Sequence, residues 1–386
     1  MSTLTVTVDP LPVLAALPEG TTGGYDGLVA AARDTQVADR LAAAGAPAEA
    51  LAGPLAAWSE PTSWQVRSLV LVRADDRLVG AGLLTARPRT RGLRLAATWT
   101  SEPGSVQVAT AVVDAAVEVA RRDGWATLTV TVPPGDEALQ AAGLAAGLSP
   151  VAAPASGAPL PHDPDTLAQG LRLVLADVEV DRPVPYMRQT TDYTCGPVAG
   201  SMALAGAGLA GAPDRRAELA LWREATYMPG CDPFGLALGL AARGAAPTVW
   251  TSSADPTLVD TTSSAQTQDM QRFVLGDFHD RALAAGLPVR LEQPTVAQLH
   301  AHLRAGGLAL LLIDQHPMHL EPCPHWITAH GLWSRSDEHG VLVDDPWTDV
   351  DLGETWLDAT GLPLPDATVE VLWGWGGSRA ALLLPA

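Results

Sequence analysis

Apolar positions along the chain fall into short runs with strand spacing, separated by alanine-rich stretches with helical spacing. Leu4–Val8 alternates apolar and polar residues, the period of two expected of a half-buried strand. Tyr25–Ala44 is alanine-rich and predicts a helix broken near Asp34 and Thr35. Val66–Val72 and Leu78–Thr85 are apolar runs on either side of Ala74-Asp75-Asp76-Arg77, which suits a hairpin turn. Leu93–Thr100 predicts a third strand after the basic link Arg87–Arg91. Val106–Arg121 predicts a long helix with Gly124 as its C-terminal stop. Ala126–Val132 then predicts a strand and Asp136–Ala146 a helix ended by Gly147. A weak strand near Val151, a Pro/Gly/Ala loop and a strand over Leu171–Val180 complete this half.

Pro183 and Pro185 mark a bridge at Val180–Val184 and divide the chain into domains over residues 1–180 and 181–386. In the second domain the pattern predicts a helix from Gly196 to about Ala207, and another over Asp214–Thr226. Asp232-Pro233 restarts a helix that stops at Gly244, aspartate serving as N-cap and proline taking the first position. Thr248–Thr251 is a short strand, and Ser252–Ala265 a polar Ser/Thr-rich loop. Gln268–Ala284 is a helix, Val289–Leu291 a strand and Val296–Leu303 a helix. Leu308–Asp314, Trp326–Trp333 and Gly340–Val343 are consecutive strands. The chain shows no internal repeat, and its fold class is α+β.

Composition narrows the functional classes. At 386 residues with 47% hydrophobic content, the chain supports two real cores, which excludes wholesale disorder. A formal charge of −19 and a pI near 4.7 argue against a nucleic-acid partner or an anionic membrane. All 24 basic residues are arginine, which reads as genomic base-composition bias. Three cysteines (Cys195, Cys231 and Cys323) fit a reducing compartment better than a disulfide scaffold. Met1–Val8 has neither the basic region nor the continuous apolar segment of a secretory signal, and Leu308–Ile313 has the length of a buried strand, too short for a bilayer. The expectation is a soluble, cytoplasmic protein whose oligomeric state is open.

Candidate chemistry begins at Gln189-Thr190-Thr191-Asp192-Tyr193-Thr194-Cys195-Gly196-Pro197, where a cysteine stands at the junction of a polar loop and an apolar helix. Proline tolerates the first helical turn, and a thiol there faces the positive end of the helix dipole, which favours thiolate. Gln189 is placed to reach back and donate an amide N–H to a developing oxyanion. His325 opens an apolar strand at Pro324–Ala329, and Asp344-Asp345-Pro346 closes the next. A turn at Ser336–Gly340 sets those two ends side by side, so a carboxylate orients the imidazole while its other nitrogen faces the thiol. Asp344 competes with Asp345 for that role; strand alternation sends them to opposite faces, and the reading takes Asp345. A structural role remains for Cys231, and core packing for Tyr193, Trp326 and Trp347. His316, His319, Cys323 and His325 are ligand types at tight spacing, but intervening prolines and the lack of a second cysteine pair count against a closed zinc site. The reading therefore calls for no metal and no cofactor.

Two resemblances follow from these residues. The element order over residues 1–180 resembles the GNAT acyltransferase fold. The turn that cradles acyl-coenzyme A pyrophosphate in that family reads Thr100-Ser101-Glu102-Pro103-Gly104-Ser105-Val106 here, with one glycine and an acid. The expectation is a degenerate domain used for packing or recognition, with live acyl transfer as the alternative. Over roughly residues 183–350 the chain resembles papain-like cysteine peptidases, specifically the leader-peptide peptidases of bacteriocin exporters and their stand-alone bacterial relatives. Gln189 with Asp192–Pro197, His325-Trp326 and Asp345-Pro346 carry that resemblance, and Glu218–Ala225 with Gly230–Leu236 is similar to the stand-alone relatives fused to GNAT domains. Thr194 departs from the acidic or polar residue usual before the cysteine. The resemblance implies Cys195 as nucleophile, His325 as base, Asp345 as orienter and Gln189 as oxyanion donor, acting on a peptide or amide substrate. Transfer of the acyl group to an amine, or a binding or scaffold role without catalysis, are the alternatives.

Overall fold

A computed structural model describes residues 4–10, 35–59, 65–75, 77–155, 169–226, 230–319, 322–350 and 353–386, which form two compact units. The first contains residues 1–152, 167–176 and 349–358; the second contains 153–166, 177–348 and 359–386.

The first unit is built on strands β1 (Leu4–Pro10), β2 (Val66–Ala74), β3 (Arg77–Ala86), β4 (Gly92–Thr100), β5 (Thr127–Val132), β6 (Ser149–Pro150) and β7 (Gln169–Val174). They form one sheet in the order β1-β2-β3-β4-β5-β7-β6, antiparallel except for the parallel pair β4/β5. Sheet and helices together agree with the mixed α and β class that the sequence pattern implied. Helices α1 (Thr35–Ala43), α2 (Ala48–Ala52), α3 (Val106–Arg122) and α4 (Glu137–Ala145) accompany the sheet. Ala74 pairs with Arg77 across the β2/β3 turn, with Asp75 at φ 47°, the left-handed geometry of a two-residue hairpin. Along α3 the apolar positions Val108, Val112, Val113, Ala116 and Ala120 recur at helical spacing, and all are buried against Leu84, Leu95, Leu128 and Val130 of the sheet. The helix expected over Tyr25–Ala44 is described only from Thr35; its earlier part lies outside the described residues.

The single strand expected over Leu171–Val180 is instead two. Strand β7 ends at Val174, and β8 (Asp177–Asp181) begins after Leu175-Ala176 and pairs with a strand of the second unit's own sheet. An unbroken run of strand-forming residues hides the change, because β propensity does not report which sheet a strand joins.

In the second unit the remaining strands are β9 (Thr248–Thr251), β10 (Val289–Leu291), β11 (Leu308–Asp314), β12 (Pro324–Arg335), β13 (Glu338–Asp344), β14 (Leu362–Pro365) and β15 (Ala380–Leu384). Their order is β10-β9-β15-β11-β12-β13-β14, with β8 alongside β12. Its helices are α5 (Cys195–Gly206), α6 (Arg215–Ala225), α7 (Pro233–Ala241), α8 (Ala265–Ala284), α9 (Val296–Arg304), α10 (His316–His319) and α11 (Asp366–Leu372). Asp214 caps α6 by accepting from Ala217 N at 2.7 Å, and Asp232 caps α7 from Phe234 N at 2.8 Å with Pro233 at the first position. Helix α8 starts at Ala265, capped by Ser264, three residues before the expected start and inside the stretch read as loop. Strand β11 is buried along Leu308–Ile313, between β15 and β12. Among the described residues no helix is long and apolar enough to cross a membrane.

Candidate active site

Helix α5 begins on Cys195, and its first ten residues are all buried. Gly196 has no room for a side chain: a Cβ there would stand 3.0 Å from Cys231 Cβ and 3.1 Å from Trp326 Cδ1. This close approach packs the start of α5 against β12 and the start of α7. Thr328 Oγ1 donates to Ala199 O at 3.1 Å, and Trp326 Nε1 to Cys231 O at 2.8 Å, so β12 is pinned to both elements. The strand that carries His325 is thereby fixed against the helix that carries Cys195.

Strand β13 runs antiparallel to β12, with Thr328 opposite Asp344, so Asp345 emerges beside the start of β12. His325 Nε2 lies 2.7 Å from Asp345 Oδ1, and both side chains are almost wholly buried. Cys195 is near enough to contribute to the shift of the ring, and with Nε2 on the carboxylate Nδ1 is the nitrogen left for the thiol. Burial works against a charged imidazole, but the Asp345 carboxylate and Cys195 outweigh it and raise His325 to about 10. Asp345 Oδ1 also accepts from Trp347 N at 2.8 Å, and its own N–H donates to Ala359 O at 2.9 Å. Three of the four residues singled out in the sequence are thus brought together.

Gln189 is buried in the same loop as Cys195, its backbone N–H donating to Pro346 O at 2.8 Å. Its Nε2 donates one proton to Thr191 O at 2.8 Å and carries a second, while its Oε1 is buried with no hydrogen-bond partner. Asp344 turns the other way, as strand alternation requires. It accepts from Gly361 N at 2.6 Å and lies 3.5 Å from His330 Nε2. His330 Nδ1 meets Asp181 of β8 at 3.0 Å; burial opposes its charge, but Asp181 and Asp344 raise it to about 9.

Cys195 opens onto a cleft of about 1140 Å³ in the second unit. Its lining takes in Gly230, Cys231 and Thr257–Thr262, the stretch Trp373–Arg379, and Leu312, Asp314 and Trp326 of the sheet. Burial pushes the Cys231 thiol well above its ordinary range, with Cys195 and Asp232 acting in the same direction. Arg379 is engaged over the Trp373 ring and with Glu370 at 2.6 Å. Tyr193, expected in the core, is 40% exposed and packs against Trp222 with ring centroids 5.7 Å apart. Among the described residues, no group of three or more His, Cys, Asp or Glu converges as a metal site.

Sequence reasoning missed two parts of the site. The Trp373–Arg379 stretch had a visible signal in its glycines, since Gly374 (φ 142°), Gly376 (φ 59°) and Gly377 (φ 83°) all adopt positive φ. Glu218 was the other. It is fully buried in α6 and shares that helix's inward face with Leu221 and Ala225, which marks a carboxylate set among core residues.

A helix-start cysteine, a strand-borne histidine and a carboxylate behind it form the arrangement that defines cysteine peptidases as a class. The model of the Peptidase_C39 like family matches residues 184–384, and the chain belongs to that family. Over the N-terminal part, solved structures of acetyltransferases are similar at low identity. A Bacillus subtilis acetyltransferase in complex with CoA is 16% identical, covering 28% of this chain and 77% of its own (TM-score 0.23). A GNAT family acetyltransferase from Elizabethkingia anophelis with acetyl-CoA bound is 12% identical, covering 44% and 98% (TM-score 0.24). Nourseothricin acetyltransferase is 19% identical, covering 28% and 62% (TM-score 0.23). No curated protein matches the chain.

Proposed function

We propose that the second unit cleaves a peptide or amide bond through an acyl-thioester on Cys195. The observation that carries this reading is the imidazole of His325, held by Asp345 at 2.7 Å through Nε2 and raised further by the neighbouring Cys195, which leaves Nδ1 for the thiol. In the proposed reaction His325 accepts the Cys195 proton and the sulfur attacks the carbonyl carbon. The resulting oxyanion takes hydrogen bonds from the Cys195 backbone N–H and the second Nε2 proton of Gln189. His325 then gives its proton to the leaving amine, and water, deprotonated by the same ring, releases the acid. Asp345 keeps the ring oriented and balances its positive charge. The cleft volume of about 1140 Å³, with Cys195 in its lining, is of the size that takes a peptide segment.

The test is selective alkylation. At neutral pH, iodoacetamide is expected to label Cys195 ahead of Cys231 and Cys323, with the advantage lost in His325→Ala. A peptide library digested by the wild type but not by Cys195→Ala completes the assignment, and an added primary amine reads the partition between hydrolysis and transfer. Slow, equal labelling of the three thiols would remove the basis for catalysis.

A further inference from the structure

Glu218 is buried in α6 without a cation among its hydrogen-bond partners. Its carboxylate accepts from Thr190 N at 2.8 Å and Thr190 Oγ1 at 2.7 Å, and Thr194 Oγ1 donates to the oxygen that Thr190 N uses. Thr191 Oγ1 lies 2.8 Å from Thr194 Oγ1, extending the network by one residue. One turn further along α6, Trp222 packs against Tyr193. Helix α6 thus grips the loop at Thr190, Tyr193 and Thr194, between Gln189 and Cys195.

A carboxylate out of water is costly unless its lone pairs are filled, and here the donors filling them come from that one loop. The loop in turn has few other ways to fix Thr190 and Thr194. Thr194 is the N-cap of α5, but its side chain makes no bond to the helix because it is turned to Glu218. We infer that Glu218 is a positioning residue, which holds the Gln189–Cys195 loop so that the glutamine amide and the Cys195 N–H converge on one oxyanion. This rests on the catalytic reading above and deepens it. Glu218 touches no reacting atom; it acts through Thr190 and Thr194.

Two reagents separate this role from general stability. Iodoacetamide alkylates by direct displacement at carbon, with no oxyanion, and reads only the sulfur and His325. p-Nitrophenyl acetate acylates the sulfur through a tetrahedral oxyanion, releasing p-nitrophenolate, and so reads the oxyanion donors as well. Both rates are measured on the full chain, taking the Cys195→Ala protein as background. Misplaced positioning groups cost about 100-fold and a lost oxyanion donor about 100- to 1000-fold. Glu218→Ala should accordingly lower acylation by about 100-fold while alkylation changes by less than about 3-fold. Glu218→Gln, which keeps an acceptor for Thr194, should recover about 10-fold of that loss. Thr190→Val guards against misfolding of the alanine variant and should lower the same ratio by about 10-fold, with an unchanged circular dichroism spectrum. An unchanged ratio in folded Glu218→Gln and Thr190→Val proteins overturns the positioning role and leaves the catalytic reading intact. Absence of any Cys195-dependent phenolate release from the wild type overturns both.

Discussion

His330 and His325 lie on the same strand, each between acidic or thiol partners, and their shifts have one sign. His330 is raised to about 9 and His325 to about 10, against an ordinary value of 6.5. The folded state therefore binds these protons more tightly than the unfolded chain. Their contribution is complete below about pH 6.5 and is lost as pH rises through 9 and then 10. Burial likewise raises Asp232 to about 6 from 3.8, so its contribution is lost between those values as the carboxylate ionises. The thermal midpoint is expected to fall steadily from mildly acidic to alkaline pH, and His330→Asn should flatten the part between about 6.5 and 9. A midpoint that rises over that interval would contradict the ion triad. These residues also show what sequence makes legible. Cys195, His325 and Asp345 each carry a local mark: Gly-Pro after the thiol, a strand start at the histidine, an acid before proline. Glu218 carries a weaker one, its spacing to Leu221 and Ala225, because α6 is rich in Arg and Glu and only tertiary packing shows which of them turns inward.

At the scale of elements, the hairpins, capped helices and central strands were readable because each has a period and a stop signal. Strand β15 was not. Ala380–Leu384 is a five-residue apolar run beyond a glycine-rich loop, and nothing local distinguishes it from a buried tail. Yet it pairs with β11 on one side and β9 on the other, joining the two parts of the second unit's sheet. The preceding loop lines the cleft at Trp373–Arg379, so the strand also anchors that lining. Leu382 is fully buried and pairs with Leu310 and Val249. Leu382→Ala should cost about 2–5 kcal/mol in denaturant unfolding, as for other buried leucines. Deleting residues 380–386 leaves two unpaired edges in an apolar sheet and should abolish soluble expression. Wild-type solubility of the deletion would mean that β15 is dispensable.

The whole molecule is interleaved in a way that a chain read from left to right conceals. Hydrophobic periodicity is local, so it divides a sequence into consecutive domains, whereas here each compact unit takes three separate segments. The segment Asp349–Asp358 belongs to the first unit although it follows Asp345 by only four residues. Within that unit Arg87 holds Glu354 through two bonds, 2.6 and 2.9 Å, both side chains almost fully buried. Arg94 donates to Thr355 Oγ1 and Gly353 O, each at 2.7 Å, and pairs with Asp358 at 2.9 Å. Removing one partner of a buried pair strands the other charge, so Arg87→Ala should destabilise the first unit by about 3–5 kcal/mol. The same logic predicts the behaviour of a fragment cut at the second unit's first strand. Residues 177–386 retain Asp349–Asp358 but lose Arg87 and Arg94, leaving Glu354 and Asp358 with only the backbone bonds of their own segment, from Asp349 N and Thr355 N. A peptidase specific for glutamate should cut this fragment after Glu354 quickly and the intact chain only as fast as it unfolds, since proteolysis follows the open population. Equal protection of Glu354 in both would show that the two arginines do not hold the segment, and that residues 177–386 contain all its anchors.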